Sequence, residues 1–117
     1  MSTTVALIAD DLKIFLVVAK AFLTRRGFEV LTAENGKRAL ELARAHHPRL
    51  ILLDLTMPEM DGAEACAAMR RDPALAFTPI LIMSSPENAE SRELSDRLHL
   101  FLRELRRLRG FRLGAAH

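Results

Sequence analysis

The sequence predicts a parallel α/β fold, in which helices cover both faces of a single sheet. Short, wholly apolar runs recur along the chain, and segments with helical periodicity separate them. A run without polar residues is typical of a strand that is buried on both faces, as the inner strands of a parallel sheet are. The alternation of such strands with helices implies right-handed crossovers between parallel neighbours.

Each predicted element has a local justification. Residues 12–26 carry a helical stripe of apolar side chains, and Gly27 suits the position just after a helix end. Asn35 is a good cap for a helix that runs to His46, and Pro48 ends it. A third helix is predicted over residues 62–71. The predicted strands are residues 5–9, 28–32, 50–54 and 79–83.

Two of the predicted strands end in carboxylates. Asp54 follows the apolar run 50–53, and the pair Asp10 and Asp11 follows the run 5–9. If these strands are neighbours, three carboxylates meet beyond the carboxyl ends of the sheet, where ligands usually bind. Such a cluster is costly unless a cation neutralises it. Oxygen ligands without Cys or His suit a hard, hydrated ion, so the sequence predicts a Mg²⁺ site.

A hydroxyl follows the last of these apolar runs. Ser84 comes directly after residues 79–83 and shortly before Pro86. Its hydroxyl can donate a hydrogen bond to an anion held beside Asp54. Taken alone, a serine in this position is more often a loop or cap residue, because Ser before Pro-Glu is also a helix-start signal. The functional interpretation of Ser84 depends on the neighbouring acids.

Three blocks of the sequence together resemble the receiver domain of bacterial two-component response regulators. They are VALIADD at residues 5–11, LLDLTMPEMDG at 52–62 and PILIMSS at 79–85. The resemblance implies a flavodoxin-like fold and transfer of a phosphoryl group from a phosphohistidine of a sensor histidine kinase or phosphotransfer protein to Asp54. It also implies Mg²⁺ ligation by Asp11, Asp54 and the Thr56 carbonyl, a contact from Asp10 through water, and a phosphoryl contact from the Ser84 hydroxyl.

The resemblance ends at about residue 86. In the family a fifth strand follows, and then a Lys-Pro pair whose lysine contacts the phosphoryl group. Residues 86–110 of this chain contain no lysine. Because loss of one preorganised charge contact costs on the order of 10²–10³ in rate, we expect slow phosphorylation of Asp54.

Two structures are open for the segment that replaces this region. Residues 98–102 can form a degenerate fifth strand, with Phe101 as its aromatic residue and Glu104 at the position of the lysine. Alternatively, residues 87–109 form one helix, because apolar residues recur there at spacings of four and three. We favour the helix, since turn residues are absent. This leucine seam comprises Leu94, Leu98, Phe101, Leu105 and Leu108.

The helical alternative predicts a homodimer through residues 87–109. A helix of about 23 residues spans roughly 35 Å, which is too long to fold back over a four-stranded domain. One sheet edge would then stay unpaired beside an exposed leucine seam. Residues 92–117 hold seven arginines against three acids. Because these arginines are interleaved with leucines, we expect the solvated face of a partner-binding helix and not a nucleic-acid site.

Length and composition bound the remaining possibilities. The 117 residues predict one stand-alone domain over 1–117, receiver-like for 1–86 and with an atypical helical segment at 87–117. No stretch approaches about 18 uninterrupted apolar residues, and the amino terminus lacks a signal pattern, so we expect a cytoplasmic protein without membrane contact. Enzymatic activity is not expected beyond self-phosphorylation and self-dephosphorylation at Asp54. The alternative function is a pseudo-receiver, which keeps the fold but acts by dimerisation or docking.

Overall fold

The computed structural model describes residues 4–83 and 93–108. Within these residues a four-stranded parallel sheet, in the order β2-β1-β3-β4, is flanked by helices on both faces. The predicted α/β fold is therefore confirmed. The elements are β1 (Thr4–Ala9), α1 (Lys13–Thr24), β2 (Phe28–Ala33), α2 (Gly36–His46), β3 (Leu50–Asp54), α3 (Gly62–Arg70), a 3₁₀ turn (Pro73–Leu75), β4 (Ile80–Met83) and α4 (Leu94–Arg106).

The core is divided between the two faces of the sheet. Ile8 and Leu52 pack towards α1 and α4, whereas Leu7 and Ile51 pack towards α2 and α3. All four side chains are fully buried. Covering both faces explains why the strands lack the polar alternation of a half-exposed sheet.

Local sequence signals place the starts of α2 and α3 at the predicted positions. The Asn35 side chain accepts a hydrogen bond of 2.8 Å from the Arg38 backbone N–H, which caps α2. Asp61 and Glu64 form a reciprocal capping box at the start of α3. No helix among residues 4–83 and 93–108 has the length and apolar character needed to cross a membrane.

Residues Leu94–Arg106 are helical, so the alternative of a fifth strand over residues 98–102 is wrong and the favoured helix is correct in kind. The predicted bounds of 87–109 are also wrong, because Glu93 has extended backbone and α4 begins at Leu94. With 13 residues, α4 is about 20 Å long and fits the sheet. The expectation that this helix is too long to fold back therefore fails.

The apolar face of α4 packs on the same chain. Phe101 is 1% exposed, and its ring meets the rings of Phe15 and Phe22 edge-on at centroid distances of 5.6 Å. Leu105 is fully buried beside them. The rest of the leucine seam, namely Leu94, Leu98 and Leu108, is partly buried against this core. The exposed seam on which the homodimer prediction rested is therefore absent from the described part of α4.

Candidate functional site

The parallel register brings the predicted acids together. Ala9 pairs with Leu53 across β1 and β3, so Asp10 and Asp54 follow at the same edge of the sheet. Carboxylate oxygens of Asp10, Asp11 and Asp54 all lie within 4.8 Å of one another. Asp10 and Asp54 are buried, at 0% and 1% exposure, whereas Asp11 is exposed. The predicted carboxylate cluster is thus present, with one member open to solvent.

A side chain that the sequence did not single out completes this acidic pocket. Arg97, in the first turn of α4, is 5% exposed and reaches across to the sheet edge. Its Nη2 lies 2.7 Å from Asp10 Oδ2 and 2.6 Å from Asp54 Oδ1. Its Nε also donates to Asp10 Oδ2 at 3.2 Å. One guanidinium therefore bridges two buried carboxylates from different strands.

Backbone donors fix the orientation of both buried carboxylates. The Leu12 N–H donates to Asp10 Oδ1 at 2.9 Å. The Thr56 N–H donates to Asp54 Oδ1 at 3.3 Å, so the residue expected to offer its carbonyl to Mg²⁺ lies in the turn directly beside Asp54. These bonds orient the two carboxylates, as a preorganised site requires.

Burial and a neighbouring carboxylate both disfavour the ionised form of Asp54. Burial raises the pKa of Asp54 to about 6, and the charge of Asp10 acts in the same direction, while Arg97 and the Thr56 N–H partly offset them. Burial alone would lower the pKa of Arg97, but its bonds and charge contacts with Asp10 and Asp54 raise it. Arg97 is thus cationic, and its single charge does not balance the acids.

The donor set fits a hard divalent cation. Three carboxylates with mutual oxygen distances within 4.8 Å, and neither thiolate nor imidazole among them, are the ligands that Mg²⁺ prefers. Asp11 is the carboxylate most open to solvent. Because Arg97 contacts one oxygen of Asp10 and one of Asp54, an incoming ion must share these groups with the guanidinium.

The loop between Asp54 and α3 is closely packed against its surroundings. The Gly62 N–H donates to the Leu55 carbonyl at 2.9 Å, and a Cβ at residue 62 would collide with the Asp54 carbonyl oxygen. The Gly36 N–H donates to the Met60 carbonyl at 2.9 Å. A side chain at Gly62 would push the backbone of Asp54 itself, so this glycine helps to position the acid.

Ser84 and Glu104 were the other two residues considered for the phosphoryl site. Ser84 lies outside the described residues, directly after the last residue of β4. Glu104, which one alternative placed at the phosphate site, lies two helical turns beyond Arg97. It pairs there with Arg103 and Arg107, at 3.5 and 3.3 Å. Placing an acid in the phosphate site was therefore wrong, and the position next to Asp54 is held by a cation.

Comparison with known proteins defines the class to which this fold and site belong. The family model of the response regulator receiver domain matches residues 6–97, so the chain belongs to that family. It is 33% identical over 81 residues to the protein PilG of Pseudomonas aeruginosa; the match covers 69% of this chain and 60% of PilG. The chain therefore aligns with less than two thirds of that relative.

Solved structures agree with this assignment. The chemotaxis protein CheY4 of Vibrio cholerae superposes with a TM-score of 0.66 at 29% identity, over 89% of this chain and 100% of that one. The receiver domain of a sensor histidine kinase from Pseudomonas aeruginosa, which has a magnesium ion in its active-site cleft, superposes with a TM-score of 0.69. At 18% identity, over 88% of this chain and 98% of that one, the second likeness shows the fold alone. The chain is a receiver domain of two-component signalling.

Proposed function

We propose that this receiver accepts a phosphoryl group on Asp54 from the phosphohistidine of a histidine kinase or phosphotransfer protein. The observation that carries the proposal is the setting of Asp54, a buried carboxylate held at a strand end between a second carboxylate and a guanidinium. A carboxylate oxygen attacks the phosphorus, the N–P bond breaks, and the imidazole leaves. Such a transfer needs an aligned nucleophile and neutralised oxygens more than further covalent chemistry.

The same proposal includes Mg²⁺ in the acidic pocket. Asp11, Asp54 and the Thr56 carbonyl would hold the ion directly, and Asp10 would contact it through water. When bound, the ion supplies positive charge to the phosphoryl oxygens. Ser84 would donate its hydroxyl to the phosphoryl group. This role is supported by the register, in which Met83, the residue before Ser84, pairs with Asp54.

The test is phosphorylation of the purified chain with a small phosphodonor and Mg²⁺, measured by intact mass. We expect the addition of one phosphoryl group to the parent and none to Asp54→Asn. Asp61→Asn is the matched control, because it removes a carboxylate close in the chain and Asn serves equally well as a helix cap. This variant should take up the group at the parental rate.

A parent that takes up no phosphoryl group while Mg²⁺ is bound would contradict the proposal. That outcome would favour the pseudo-receiver, which signals by docking or dimerisation through the same fold. Addition that persists in Asp54→Asn would instead assign the acceptor to another residue. A cytoplasmic location is part of the proposal, because the ATP-dependent kinases that would donate the group act there. Stand-alone action also stays a prediction.

The homodimer through residues 87–109 also stays a prediction. With Phe101 and Leu105 buried in their own chain, its remaining basis is β4, which has a single strand partner among the described residues. A strand with one open side can pair with another chain. Molar mass in solution tests this, and a monomer at high micromolar concentration would exclude the dimer.

A further inference from the structure

The position of Arg97 at the acceptor carboxylate calls for a functional explanation. Desolvating a guanidinium and two carboxylates is expensive, and a buried ion pair seldom increases stability compared with apolar side chains of similar size. Arg97 nevertheless lies between Asp10 and Asp54, with its Nη2 within 2.7 Å of an oxygen of each. An arginine buried in this place at such a cost points to a role in the chemistry of Asp54.

Phosphorylation would change the charge next to this guanidinium. It replaces the single charge of Asp54 by a phosphoryl group of about −1.5 to −2 with three acceptor oxygens. Asp10 and Asp11 already lie within 4.8 Å of that carboxylate, so the new charge meets two like charges. Arg97 is in direct contact with the atom group that is modified. Guanidinium also presents parallel N–H donors that match phosphate oxygens in pairs.

The helix that carries Arg97 is firmly docked. Phe101 lies one turn after Arg97 on the same side of α4 and is buried between Phe15 and Phe22. Leu105 continues this buried face one turn later. A side chain that projects from a packed helix is positioned more accurately than one on a loop. The packing of α4 therefore aims the guanidinium at Asp54.

We propose that Arg97 is the phosphoryl-binding cation of this receiver. Before phosphorylation it pairs with Asp10 and Asp54, and afterwards its N–H groups donate to the phosphoryl oxygens on Asp54. Arg97 takes the place of the phosphoryl-contacting lysine of the family, which residues 86–110 lack. It projects from a helix, whereas the lysine of the family follows a strand. The inference rests on the proposed phosphorylation of Asp54.

The experiment compares the phosphorylation rates of four proteins with a small phosphodonor at saturating Mg²⁺. Arg97→Gln removes the cation, and we expect the rate to fall by roughly 10²–10³ relative to the parent. Arg97→Lys keeps a positive charge without the paired donors, so its rate should lie between the two. Arg106→Gln makes the same charge change at an exposed position of the same helix and should leave the rate unchanged.

A binding measurement separates a phosphoryl contact from a purely structural role. Beryllofluoride, which mimics a phosphoryl group on a carboxylate, can be titrated and followed by ¹⁹F NMR. We expect Arg97→Gln to weaken its binding roughly 10- to 100-fold, the worth of a hydrogen bond to a charged group. In the parent, the guanidinium ¹⁵N resonances of Arg97 should shift when beryllofluoride binds. This last measurement needs no variant, so it decides the matter even if Arg97→Gln fails to fold.

The outcomes distinguish this inference from the function on which it rests. If Asp54 is phosphorylated and Arg97→Gln reacts within twofold of the parental rate, Arg97 is not the phosphoryl-binding cation although the proposed function stands. Guanidinium resonances that do not respond to bound beryllofluoride would likewise overturn the role of Arg97. If the parent takes up neither a phosphoryl group nor beryllofluoride, the proposed function fails, and the role of Arg97 fails with it.

Discussion

Phe101 is the largest fully buried side chain of α4, and Phe101→Ala tests the docking of this helix. The ring is 1% exposed and lies edge-on to Phe15 and Phe22 at 5.6 Å from each. Replacing a buried phenylalanine by alanine costs about 3–5 kcal/mol, which includes the transfer of the ring and the cavity left behind. Two favourable ring pairs, each worth about 0.5–1.5 kcal/mol beyond burial, place this site in the upper part of that range.

The loss is large compared with the total stability of a domain, which is about 5–15 kcal/mol. For a chain of this size, 1 kcal/mol corresponds to roughly 4 °C in Tm, so Phe101→Ala should lower the Tm by about 10–20 °C. The chain has no Trp or Tyr, which makes far-UV circular dichroism the suitable probe for urea and thermal unfolding.

Leu102→Ala is the matched control on the neighbouring position of the same helix. Leu102 is only partly buried, so its truncation should cost clearly less than that of Phe101. The predicted role of Phe101 is wrong if Phe101→Ala lowers the free energy of unfolding by less than about 1 kcal/mol, or by no more than Leu102→Ala. Either result would mean that α4 does not pack on α1 in solution.

Two further predictions concern the acidic pocket and its loop. Asp11→Ala should weaken the binding of Mg²⁺, because it removes the solvent-open carboxylate of the cluster, and an unchanged NMR response to Mg²⁺ would show that the ligand set is wrong. Gly62→Ala should destabilise the protein by about 1–3 kcal/mol, because the added Cβ collides with the Asp54 carbonyl, and wild-type stability in urea would contradict the close packing described above.

The part of the fold that the sequence predicted well is the part in which local signals agree with one another. Wholly apolar runs, helix caps and glycine stops each point to the same element between residues 4 and 83. The proximity of Asp10 and Asp54 followed from the parallel arrangement, because the carboxyl ends of neighbouring parallel strands lie at the same edge of the sheet. The apolar runs and the alternation of strands with helices were therefore sufficient to predict this cluster.

The placement of α4 could not be predicted in the same way. A repeat of apolar residues at spacings of three and four is shared by a helix in a coiled coil and a helix packed on a core. The period does not reveal which surface receives the stripe. That surface is formed by Phe15 and Phe22 of α1, which are distant in the sequence. A helix that forms a dimer and a helix that packs on its own domain therefore differ only in non-local packing.

Arg97 was missed because a count of charges treats all arginines of a segment alike. Six other arginines lie between residues 92 and 117. What sets Arg97 apart is its spacing of four from Phe101, which puts it on the buried face of α4. The sequence did contain a signal, namely an arginine on the apolar side of a helix in a chain with an unneutralised carboxylate cluster. This signal identifies Arg97 only if α4 is known to lie beside the ends of β1 and β3.

By charge, Arg97 and the proposed Mg²⁺ are complementary and do not replace each other. Asp10, Asp11 and Asp54 carry three negative charges when ionised, and Arg97 contributes one positive charge. Burial is the main cause that raises the pKa of Asp54 to about 6, and the unbalanced negative charge of Asp10 adds to it. A divalent ion matches that imbalance, whereas the guanidinium alone does not. Arg97 therefore bridges the two buried carboxylates, and the exposed Asp11 is the carboxylate through which the proposed Mg²⁺ would enter.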